Sequence, residues 1–568
     1  MGSRLSISQR RGSGRSRNMS DEGAQTTSED APTTSDGEGA EGTDDLATIL
    51  SYLIRSGQVR LMPSVYGEDD MENEEDEEDD MGDIDNFGHE RPKAESNPDT
   101  SNIDMHELKQ ELLMSSGRRQ KFPYGQKTTL PQMLQKREVG MRGKQRFSPG
   151  DCCIINTGFL PNHHEVVAKF QSKVFCGTYS KDGNVFMSAC QDQNIRLYST
   201  LNGEFDEFKT IVARDVGWSV LDTAFSPDGN YMVYSSWSEC IHLCNIYGDH
   251  TVHEALNMVP TDYDRNFSIF SLEFSHSNHE LLGGANDGCI YIYDRESNQR
   301  SLRIDAHEDD INAVAYGDDS SHILYSGGDD GLVKVWDRRT LNEESPNPVG
   351  TLAGHSDGIT FIASKGDARY LASNSKDQSI KLWDIRKFSS QEAIDASRRA
   401  VTKQNWDYRW QAVPRKVQAK TGKKLPGDSS IMTYRGHCVL NTLVRCRFSP
   451  SFTTGQRYLF TGCATGSVVI YDILTGEIVS KLEDGHQNCV RDVSWHPYEH
   501  KIVSTSWDGT VGLWTHSSRT KLDSDDDADE DSDGDDDFLN IGRRRRKSKR
   551  LENQRRSSLR RRFHIPFL

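Results

Sequence analysis

Trp336-Asp337-Arg338-Arg339 and Trp383-Asp384-Ile385-Arg386 end two neighbouring blocks of the sequence, and we name them box one and box two. A His, a Ser and an Asp precede each box at matching distances. Comparable residues that end a strand-like stretch recur at Tyr198, Cys244, Tyr293, Trp336, Trp383, Tyr471 and Trp514. The intervals between them are 46, 49, 43, 47, 88 and 43 residues, which indicates seven copies of one repeat.

A period of about 40–45 residues, with Gly-His near its start and Trp-Asp near its end, is typical of WD40 repeats, each of which forms one blade of a β-propeller. We therefore predict an all-β protein with a seven-bladed WD40 β-propeller over residues 151–516. Because the circle of blades must close, residues 151–171 are expected to supply the outer strand of the last blade. The 88-residue interval predicts a basic, aromatic insertion over residues 387–430, with a helix from Ser389 to Arg409.

Three repeats carry a His, a Ser, an Asp and a Trp at the spacing expected for a buried hydrogen-bonded tetrad. These residues are His307, Ser326, Asp330 and Trp336 in the fourth repeat, His355, Ser373, Asp377 and Trp383 in the fifth, and His486, Ser504, Asp508 and Trp514 in the seventh. Such a network satisfies polar groups that the sheet would otherwise bury unpaired. A hydrolase also uses Ser, His and Asp, but three copies at a structural period favour a scaffold role. We therefore predict no catalytic residue and no enzymatic activity.

The net charge of −19 arises mainly from low-complexity segments. Residues 68–80 and 523–537 contain 11 acidic residues each, whereas residues 543–562 contain 12 basic residues and one acidic residue. We predict disorder over residues 1–42, an acidic disordered linker over residues 63–101, and an acidic, then basic, disordered tail over residues 517–568. We assign the acidity to these runs and not to the folded surface, and we do not expect the propeller to bind nucleic acid directly.

Eleven cysteines are scattered through the chain without any Cys-x-x-Cys pair. They are expected to be buried, free thiols in a reducing compartment, and we predict no metal site and no cofactor. No apolar run approaches the roughly 20 residues of a membrane span, and no secretory segment opens the chain. We therefore expect an intracellular protein without a membrane span.

The N-terminal region contains two short signals and a helical extension. Gly2 fits the pattern for N-terminal acylation, which short sequences also match by chance. Within a predicted amphipathic helix at residues 43–62, an apolar stripe contains Leu46, Ile49, Leu50, Leu53 and Ile54. This stripe either packs on the propeller or enters a groove of a partner. Residues 102–150 are predicted to be a partly helical extension.

The tail contains a dense basic cluster made of Arg543, Arg544, Arg545, Arg546, Lys547, Lys549 and Arg550. Clusters of this kind bind nuclear import receptors or nonspecific polyanions. We favour nuclear import, and expect the protein in the nucleus and the cytoplasm. The insertion combines aromatic and basic residues, which favours a protein contact over an RNA contact because no single-strand-binding pattern accompanies them.

The doubled box in adjacent repeats resembles substrate receptors of cullin-4 RING ubiquitin ligases. Residues 177–183, 213–220, 283–288 and 405–410 are also similar to segments of an individual member of this class. The resemblance implies a noncatalytic receptor that docks on the damaged-DNA-binding adaptor protein of the ligase. The implied adaptor contacts are Asp337, Arg339, Asp384, Arg386 and the stripe residues Leu46, Ile49, Leu50 and Leu53.

The resemblance further implies that the opposite face holds substrate proteins, and members of the class are associated with cap'n'collar basic-leucine-zipper stress transcription factors. Two alternatives stay open at this point. Each Arg of a box can simply pair with its neighbouring Asp, with no partner involved. The chain can also be a nuclear WD40 scaffold in ribosome biogenesis or chromatin assembly, where charged tails are common.

Overall fold

The computed structural model describes residues 95, 97–117, 129–140, 146–249, 251–258, 267–414, 417 and 424–518. All of them belong to one compact unit that spans residues 88–568. The predictions for residues 1–42, for the amphipathic helix at 43–62, for most of the linker and for residues 519–568 lie outside the described residues.

The described chain is built mainly of short strands, in keeping with its many β-branched and aromatic residues. The strands are β1 (His163–Lys169), β2 (Val174–Tyr179), β3 (Val185–Cys190), β4 (Asn194–Ser199), β5 (Asp206–Val212), β6 (Val220–Phe225), β7 (Tyr231–Ser236), β8 (Cys240–Asn245), β9 (His253–Asn257), β10 (Ile269–Phe274), β11 (Glu280–Ala285), β12 (Cys289–Asp294), β13 (Gln299–Asp305), β14 (Ile311–Tyr316), β15 (Ile323–Gly328), β16 (Val333–Asp337), β17 (Gly350–Leu352), β18 (Ile359–Ser364), β19 (Tyr370–Ser375), β20 (Ser379–Asp384), β21 (Met432–Arg435), β22 (Cys446–Phe448), β23 (Tyr458–Gly462), β24 (Val468–Asp472), β25 (Ile478–Leu482), β26 (Val490–Trp495), β27 (Ile502–Ser506) and β28 (Thr510–Thr515). The helices are α1 (Ser101–Asp104), α2 (Glu107–Ser115), α3 (Leu130–Val139), α4 (Pro149–Thr157), α5 (Gln391–Thr402) and α6 (Ser451–Thr454).

The strands form seven four-stranded antiparallel sheets, which are the blades of a propeller. Blades one to six are β2–β5, β6–β9, β10–β13, β14–β17, β18–β21 and β22–β25, each in chain order. Blade seven has the order β26, β27, β28, β1, so the first strand of the chain pairs with the last. The first strands of neighbouring blades contact one another in a closed ring. The predicted seven-bladed propeller is confirmed.

The closing strand covers less of the chain than the sequence pattern predicts. It spans only His163–Lys169, and α4 occupies residues 149–157. Ser148 and Asp151 form a capping box, and Pro149 stands at the first helical position, where its missing N–H is not needed. These start signals make the earlier half of the predicted strand helical.

Alternating strand directions place the loops on two faces of the propeller. The box face contains the loops between first and second strands and between third and fourth strands. The turn face contains the turns between second and third strands and the connections from one blade to the next. Both boxes follow a third strand, β16 or β20, and therefore lie on the box face.

The core lies between neighbouring blades, where both surfaces of each sheet are covered. The strands β3, β19 and β20 are buried along their entire length. Burial of this kind stabilises a fold by about 25 cal/mol per Å² of apolar surface. All eleven cysteines are free, and nine of them are buried. None of the described helices combines the length and apolar character needed to cross a bilayer.

The N-terminal extension packs against blades five and six. Ile103, Leu108 and Leu112 join the same apolar cluster as Tyr370 and Tyr471. Residues 97–101, which belong to the predicted disordered linker, are therefore ordered beside this extension. There the Asp99 carboxylate lies 2.7 Å from the Lys424 ammonium group.

The helix of the insertion is shorter than the predicted span of residues 389–409. α5 begins after Ser390, whose side chain accepts a hydrogen bond from the Ala393 backbone, and ends before Lys403. Beyond it, the Asp407 carboxylate accepts a hydrogen bond from the backbone N–H of Arg409 and closes a turn. This local bond competes with helical hydrogen bonding, so the end of the predicted span is a turn and not part of the helix.

Candidate functional site

The tetrad beneath box one is assembled as a continuous hydrogen-bonded chain. In blade four, Nδ1 of His307 lies 2.9 Å from Oδ2 of Asp330, and Nε2 lies 2.8 Å from Oγ of Ser326. The indole Nε1 of Trp336 donates to the same hydroxyl at 2.9 Å. The chain therefore locks the ring of Trp336, the first residue of box one, in the blade.

Blade five repeats this arrangement beneath box two. The corresponding distances are 2.9 Å from His355 to Asp377, 2.7 Å from His355 to Ser373 and 2.7 Å from Trp383 to Ser373. Burial alone would raise the pKa of Asp377, but the imidazole of His355 outweighs it and holds the pKa well below its ordinary value. The ionised carboxylate thus remains available as a hydrogen-bond acceptor.

The tetrad of blade seven is looser at its acidic end. His486 lies 2.6 Å from Ser504 and 3.3 Å from Asp508, and Trp514 donates to Ser504 at 2.7 Å. The Thr510 hydroxyl lies closer to the His486 ring, at 2.8 Å. In all three blades the polar atoms are occupied within the sheet, which fits a scaffold role.

Box one forms a bidentate pair that we call an Asp–Arg fork, made by an Asp and the Arg two residues later. Asp337 accepts from the Arg339 backbone N–H at 3.0 Å, from its Nε at 2.9 Å and from its Nη2 at 2.7 Å. These hydrogen bonds lower the pKa of Asp337 to about 2. The Arg339 side chain remains 63% exposed. The guanidinium is therefore fixed in direction yet accessible on the box face.

Box two forms the same fork in a different setting. Asp384 accepts from the Arg386 backbone N–H at 3.0 Å and from its Nη2 at 2.7 Å. The Asp384 side chain is fully buried, whereas Arg386 is 49% exposed. Burial would raise the pKa of Asp384, but the hydrogen bonds from Arg386 outweigh it and lower that pKa.

The N-terminal segment completes the surroundings of box two. Nε2 of His106 lies 3.2 Å from Oδ2 of Asp384. Glu107, the first residue of α2, lies 3.5 Å from Nη1 of Arg386 and 2.6 Å from Nη2 of Arg369. The sequence pattern did not identify His106, Glu107 or Arg369, because their approach depends on where the extension packs.

A third Trp-Asp-x-Arg sequence occurs at residues 406–409, inside the insertion. Its fork has the same geometry, with the Arg409 backbone N–H at 3.0 Å and Nη2 at 2.6 Å from the Asp407 carboxylate. The centroid of the Tyr408 ring lies 4.5 Å from Nζ of Lys376. Lys376 belongs to the turn between β19 and β20, so this fork lies on the turn face. The tetrapeptide therefore builds a fork wherever it occurs, and only its position after a third strand places it on the box face.

The central channel opens on the box face into a cavity of about 560 Å³. Its charged lining includes Arg445, whose guanidinium lies 2.7 Å from Asp222 and 3.2 Å from Asp492. Burial raises the pKa of Glu273, which also lines the cavity, to about 7. Among the described residues, no three His, Cys, Asp or Glu side chains are grouped to hold a metal ion.

Several residues proposed from the sequence lie outside the described part of the chain. They are Gly2, the stripe residues Leu46, Ile49, Leu50, Leu53 and Ile54, and the basic cluster Arg543–Arg550. Their roles stay predictions.

Comparisons with known proteins identify WD repeats in the chain and relatives that match most of its propeller. A profile described as WD domain, G-beta repeat matches residues 161–199, 298–337, 346–384 and 476–515, and two of these matches end at the acidic residues of the boxes. An LEC14B homolog from Prunus armeniaca is 41% identical over 391 residues, which cover 67% of this chain and 80% of that protein. The DDB1- and CUL4-associated factor 11 homolog of Caenorhabditis elegans is 36% identical over 400 residues, which cover 68% of this chain and 69% of that protein. The protein of the same name from Caenorhabditis briggsae is 36% identical over 382 residues, which cover 65% of this chain and 67% of that protein.

Proposed function

We propose that this chain, which belongs to the family of the DDB1- and CUL4-associated factor 11 homologues, is a noncatalytic substrate receptor of a cullin-4 RING ubiquitin ligase. The observation that carries the proposal is the pair of Asp–Arg forks at corresponding strand ends of adjacent blades. A receptor of this kind holds adaptor and substrate together, which gives the ubiquitin-loaded enzyme a high effective concentration of target lysines.

The forks suit a docking role because each guanidinium is oriented before the partner arrives. The tetrad fixes the Trp, and the Asp then holds the Arg through two side-chain bonds. Preorganisation reduces the conformational entropy lost on binding. Arg also presents a rigid, permanently charged donor array to carboxylates or backbone carbonyls of a partner. The pairing of each Arg with its own Asp is thus compatible with docking.

The decisive experiment is affinity purification of tagged full-length protein, followed by detection of cullin-4 and its adaptor. Replacing Arg339 and Arg386 together by Ala should remove the adaptor. The matched control is Arg409→Ala, which disrupts a fork of the same geometry on the turn face and should retain the adaptor. A folded double variant that still captures the adaptor would contradict docking through the boxes.

The predicted stripe at residues 43–62 is proposed as a second adaptor contact. Burying two Leu side chains contributes about 1.5–3 kcal/mol each, so Leu50→Asp with Leu53→Asp should weaken adaptor binding measurably. The melting temperature of the isolated protein should not change. A lowered melting temperature with unchanged adaptor affinity would indicate that the helix packs on its own propeller.

The proposed substrates bind the turn face, and by resemblance they include a cap'n'collar basic-leucine-zipper factor of the oxidative stress response. Ubiquitination of such a factor in a reconstituted ligase, with and without this receptor, tests the assignment. Gly2 acylation is a separate proposal that the mass of the N-terminal peptide decides.

Nuclear import through the basic cluster at residues 543–550 is likewise proposed. Deleting residues 541–562 should shift a tagged protein towards the cytoplasm, because this segment contains the densest basic cluster of the chain. Continued nuclear accumulation of the truncated protein would indicate import together with a partner.

A further inference from the structure

An arc of five aromatic rings crosses the turn face from blade seven to blade three. Its rings belong to Trp507, Phe175, Trp218, Trp237 and Phe270, and we call it the aromatic arc. Successive ring centroids are 5.6, 5.4, 6.5 and 5.7 Å apart. The Trp507–Phe175 pair is tilted and the other three pairs are edge-to-face. Aromatic pairs at such distances attract one another, so the rings form one connected cluster.

The middle of the aromatic arc is open to solvent. Trp218 and Trp237 are 48% and 44% exposed, whereas Phe175 beside them is buried. Large adjacent apolar side chains on a protein surface generally mark an interaction site. Phe175 belongs to the buried apolar cluster beneath them, of which neither Trp218 nor Trp237 is a member.

The local backbone holds the two tryptophans in place. Gly217 adopts a φ of 61°, and a Cβ there would lie 2.9 Å from Cβ of Trp237. The Trp237 N–H donates to the Val216 carbonyl at 3.4 Å, and the Ser236 hydroxyl donates to the Asp215 carbonyl at 2.8 Å. The close approach of these two loops therefore positions the rings before any ligand binds.

Charges around the aromatic arc favour a cationic ligand. The Asp215 side chain is 70% exposed, with one carboxylate oxygen 3.3 Å from Nε2 of the buried His242, and Glu239 follows Trp237 by two residues and is half-buried. At the blade-seven end, Nζ of Lys173 lies 3.9 Å above the Trp507 ring, so that ring face already holds a cation and the carboxylates near the two exposed tryptophans are the sites left for a cationic ligand. A complementary ligand would place arginines near the carboxylates and its own aromatic rings on the tryptophans.

One segment of this chain has that composition. Residues 559–568 read Leu-Arg-Arg-Arg-Phe-His-Ile-Pro-Phe-Leu, with three arginines followed by aromatic and apolar residues. They are separated by 40 residues from Ser518, the last described residue. Forty residues can span up to roughly 130 Å, whereas β28 accounts for only about 20 Å between the two faces. The segment can therefore reach the turn face of its own propeller.

We propose that the aromatic arc is a peptide-binding site and that residues 559–568 occupy it. Bound there, the segment covers the face on which substrates are proposed to dock, and a substrate must displace it. The binding itself does not depend on the proposed function. Only its consequence for substrates rests on that function.

The test uses the protein without residues 559–568 and a fluorescent synthetic peptide of those residues, with binding followed by anisotropy. The truncated protein should bind the peptide, and the full chain should bind it at least about tenfold more weakly, because its own segment competes at high effective concentration. Trp218→Ala with Trp237→Ala in the truncated protein should also lower the affinity at least about tenfold. Failure of the truncated protein to bind the peptide would overturn the proposal.

Controls separate the aromatic arc from plain charge attraction to the acidic tracts at residues 68–80 and 523–537. Trp410→Ala removes another exposed tryptophan, in the insertion, and should leave peptide binding unchanged. A peptide with Phe563→Ala and Phe567→Ala keeps all three arginines and should bind at least about tenfold more weakly. Equal affinities for both peptides, or for the proteins with and without Trp218 and Trp237, would place the peptide elsewhere and overturn the proposal.

A conservative variant guards against misfolding of the double Trp variant. Glu239→Gln removes one carboxylate without changing side-chain size, and should weaken peptide binding more at low salt than at high salt. An unchanged affinity at low salt would contradict the charge assignment. Adaptor capture, measured in parallel on the truncated protein, reports on the proposed function separately from peptide binding.

Discussion

The two boxes have the same internal geometry and different surroundings. In each, the Asp carboxylate accepts hydrogen bonds from the backbone N–H and from Nε and Nη2 of the Arg two residues later. In box one the Arg339 side chain is 63% exposed and the Asp337 side chain is 16% exposed. Box two has a buried Asp384 that also contacts His106 of the N-terminal segment. The local sequence therefore determines the geometry of the fork, whereas distant parts of the chain determine how deeply its Asp is buried.

The difference has an energetic consequence. An exposed ion pair contributes little to stability, since water and salt screen it. A buried carboxylate with several partners is costly to disturb, because each partner is left unsatisfied when it is removed. Box one should therefore behave as an independent docking charge, and box two as a docking charge coupled to the attachment of α2.

The largest effect is expected when both boxes lose their Arg. Arg339→Ala with Arg386→Ala should weaken adaptor binding by at least about 100-fold, because two charge-assisted contacts are lost together. Each single variant should lose at least about tenfold, which calorimetric titration would measure. Full affinity in either single variant would show that the two boxes do not share the docking role.

A large loss of stability is expected from the tetrad beneath box two. Asp377→Ala leaves His355 without its buried acceptor and should lower the free energy of unfolding by about 1–3 kcal/mol. Asp508→Ala should cost less, because Thr510 lies closer to His486 than Asp508 does. Denaturant titration of the two variants measures both free energies of unfolding. An equal decrease in the two variants would contradict the difference expected between the tetrads.

The acidic residues of the boxes should differ in the same measurement. Asp384→Ala removes a buried acceptor from His106 and Arg386, and should lower the free energy of unfolding by about 1–3 kcal/mol. Asp337→Ala, in the more open box, should leave the unfolding transition nearly unchanged. Similar decreases in the free energy of unfolding of both variants would mean that the contact between His106 and Asp384 does not stabilise the protein.

A pH dependence is expected at box two and not at box one. Burial lowers the pKa of His106 and outweighs the opposing effect of Asp384. The native state then binds fewer protons than the unfolded chain, so the contribution of His106 to docking of α2 is complete above pH of about 6.5 and is lost as the pH falls through the lowered native pKa. Hydrogen exchange of residues 108–112 should accelerate between pH 7.5 and pH 5, after correction for the intrinsic rate.

His106→Asn is the control for this dependence, since Asn also caps a helix but does not titrate. The variant should show corrected exchange rates that do not change over the same pH range. Box one should remain intact throughout, because the pKa of Asp337 is about 2. Equal pH dependence in the variant would exclude His106 as the titrating group.

The smallest effect is expected for Glu107. Glu107→Gln weakens an exposed pairing with Arg369 and Arg386, so the melting temperature should stay within about 1 °C. A slight acceleration of hydrogen exchange at the start of α2 should be the detectable change. A large drop in melting temperature would mean that α2 is held by charge more than by its apolar side chains.

The sequence predicted the repeated parts of the molecule well, because a repeat provides several independent tests of one pattern. Seven strand-ending positions implied seven blades, which the structure confirms. The sequence was less informative about single elements. The helix at residues 149–157 and the early end of α5 depend on capping and turn residues that occur once. The Trp-Asp-x-Arg pattern is also present at residues 406–409. It was not recognised as a fork because it lies in the insertion and not at the end of a repeat.

Local spacing was sufficient for the forks, since the Asp and Arg of each are two residues apart and the side chain bonds to its own turn. This is why the forks at Asp337, Asp384 and Asp407 have the same geometry in three different settings. Packing between distant segments was needed to bring His106 to Asp384 and to align the rings of the aromatic arc. Such contacts depend on how apolar side chains such as Ile103 and Leu112 are buried, and no short stretch of sequence contains that information.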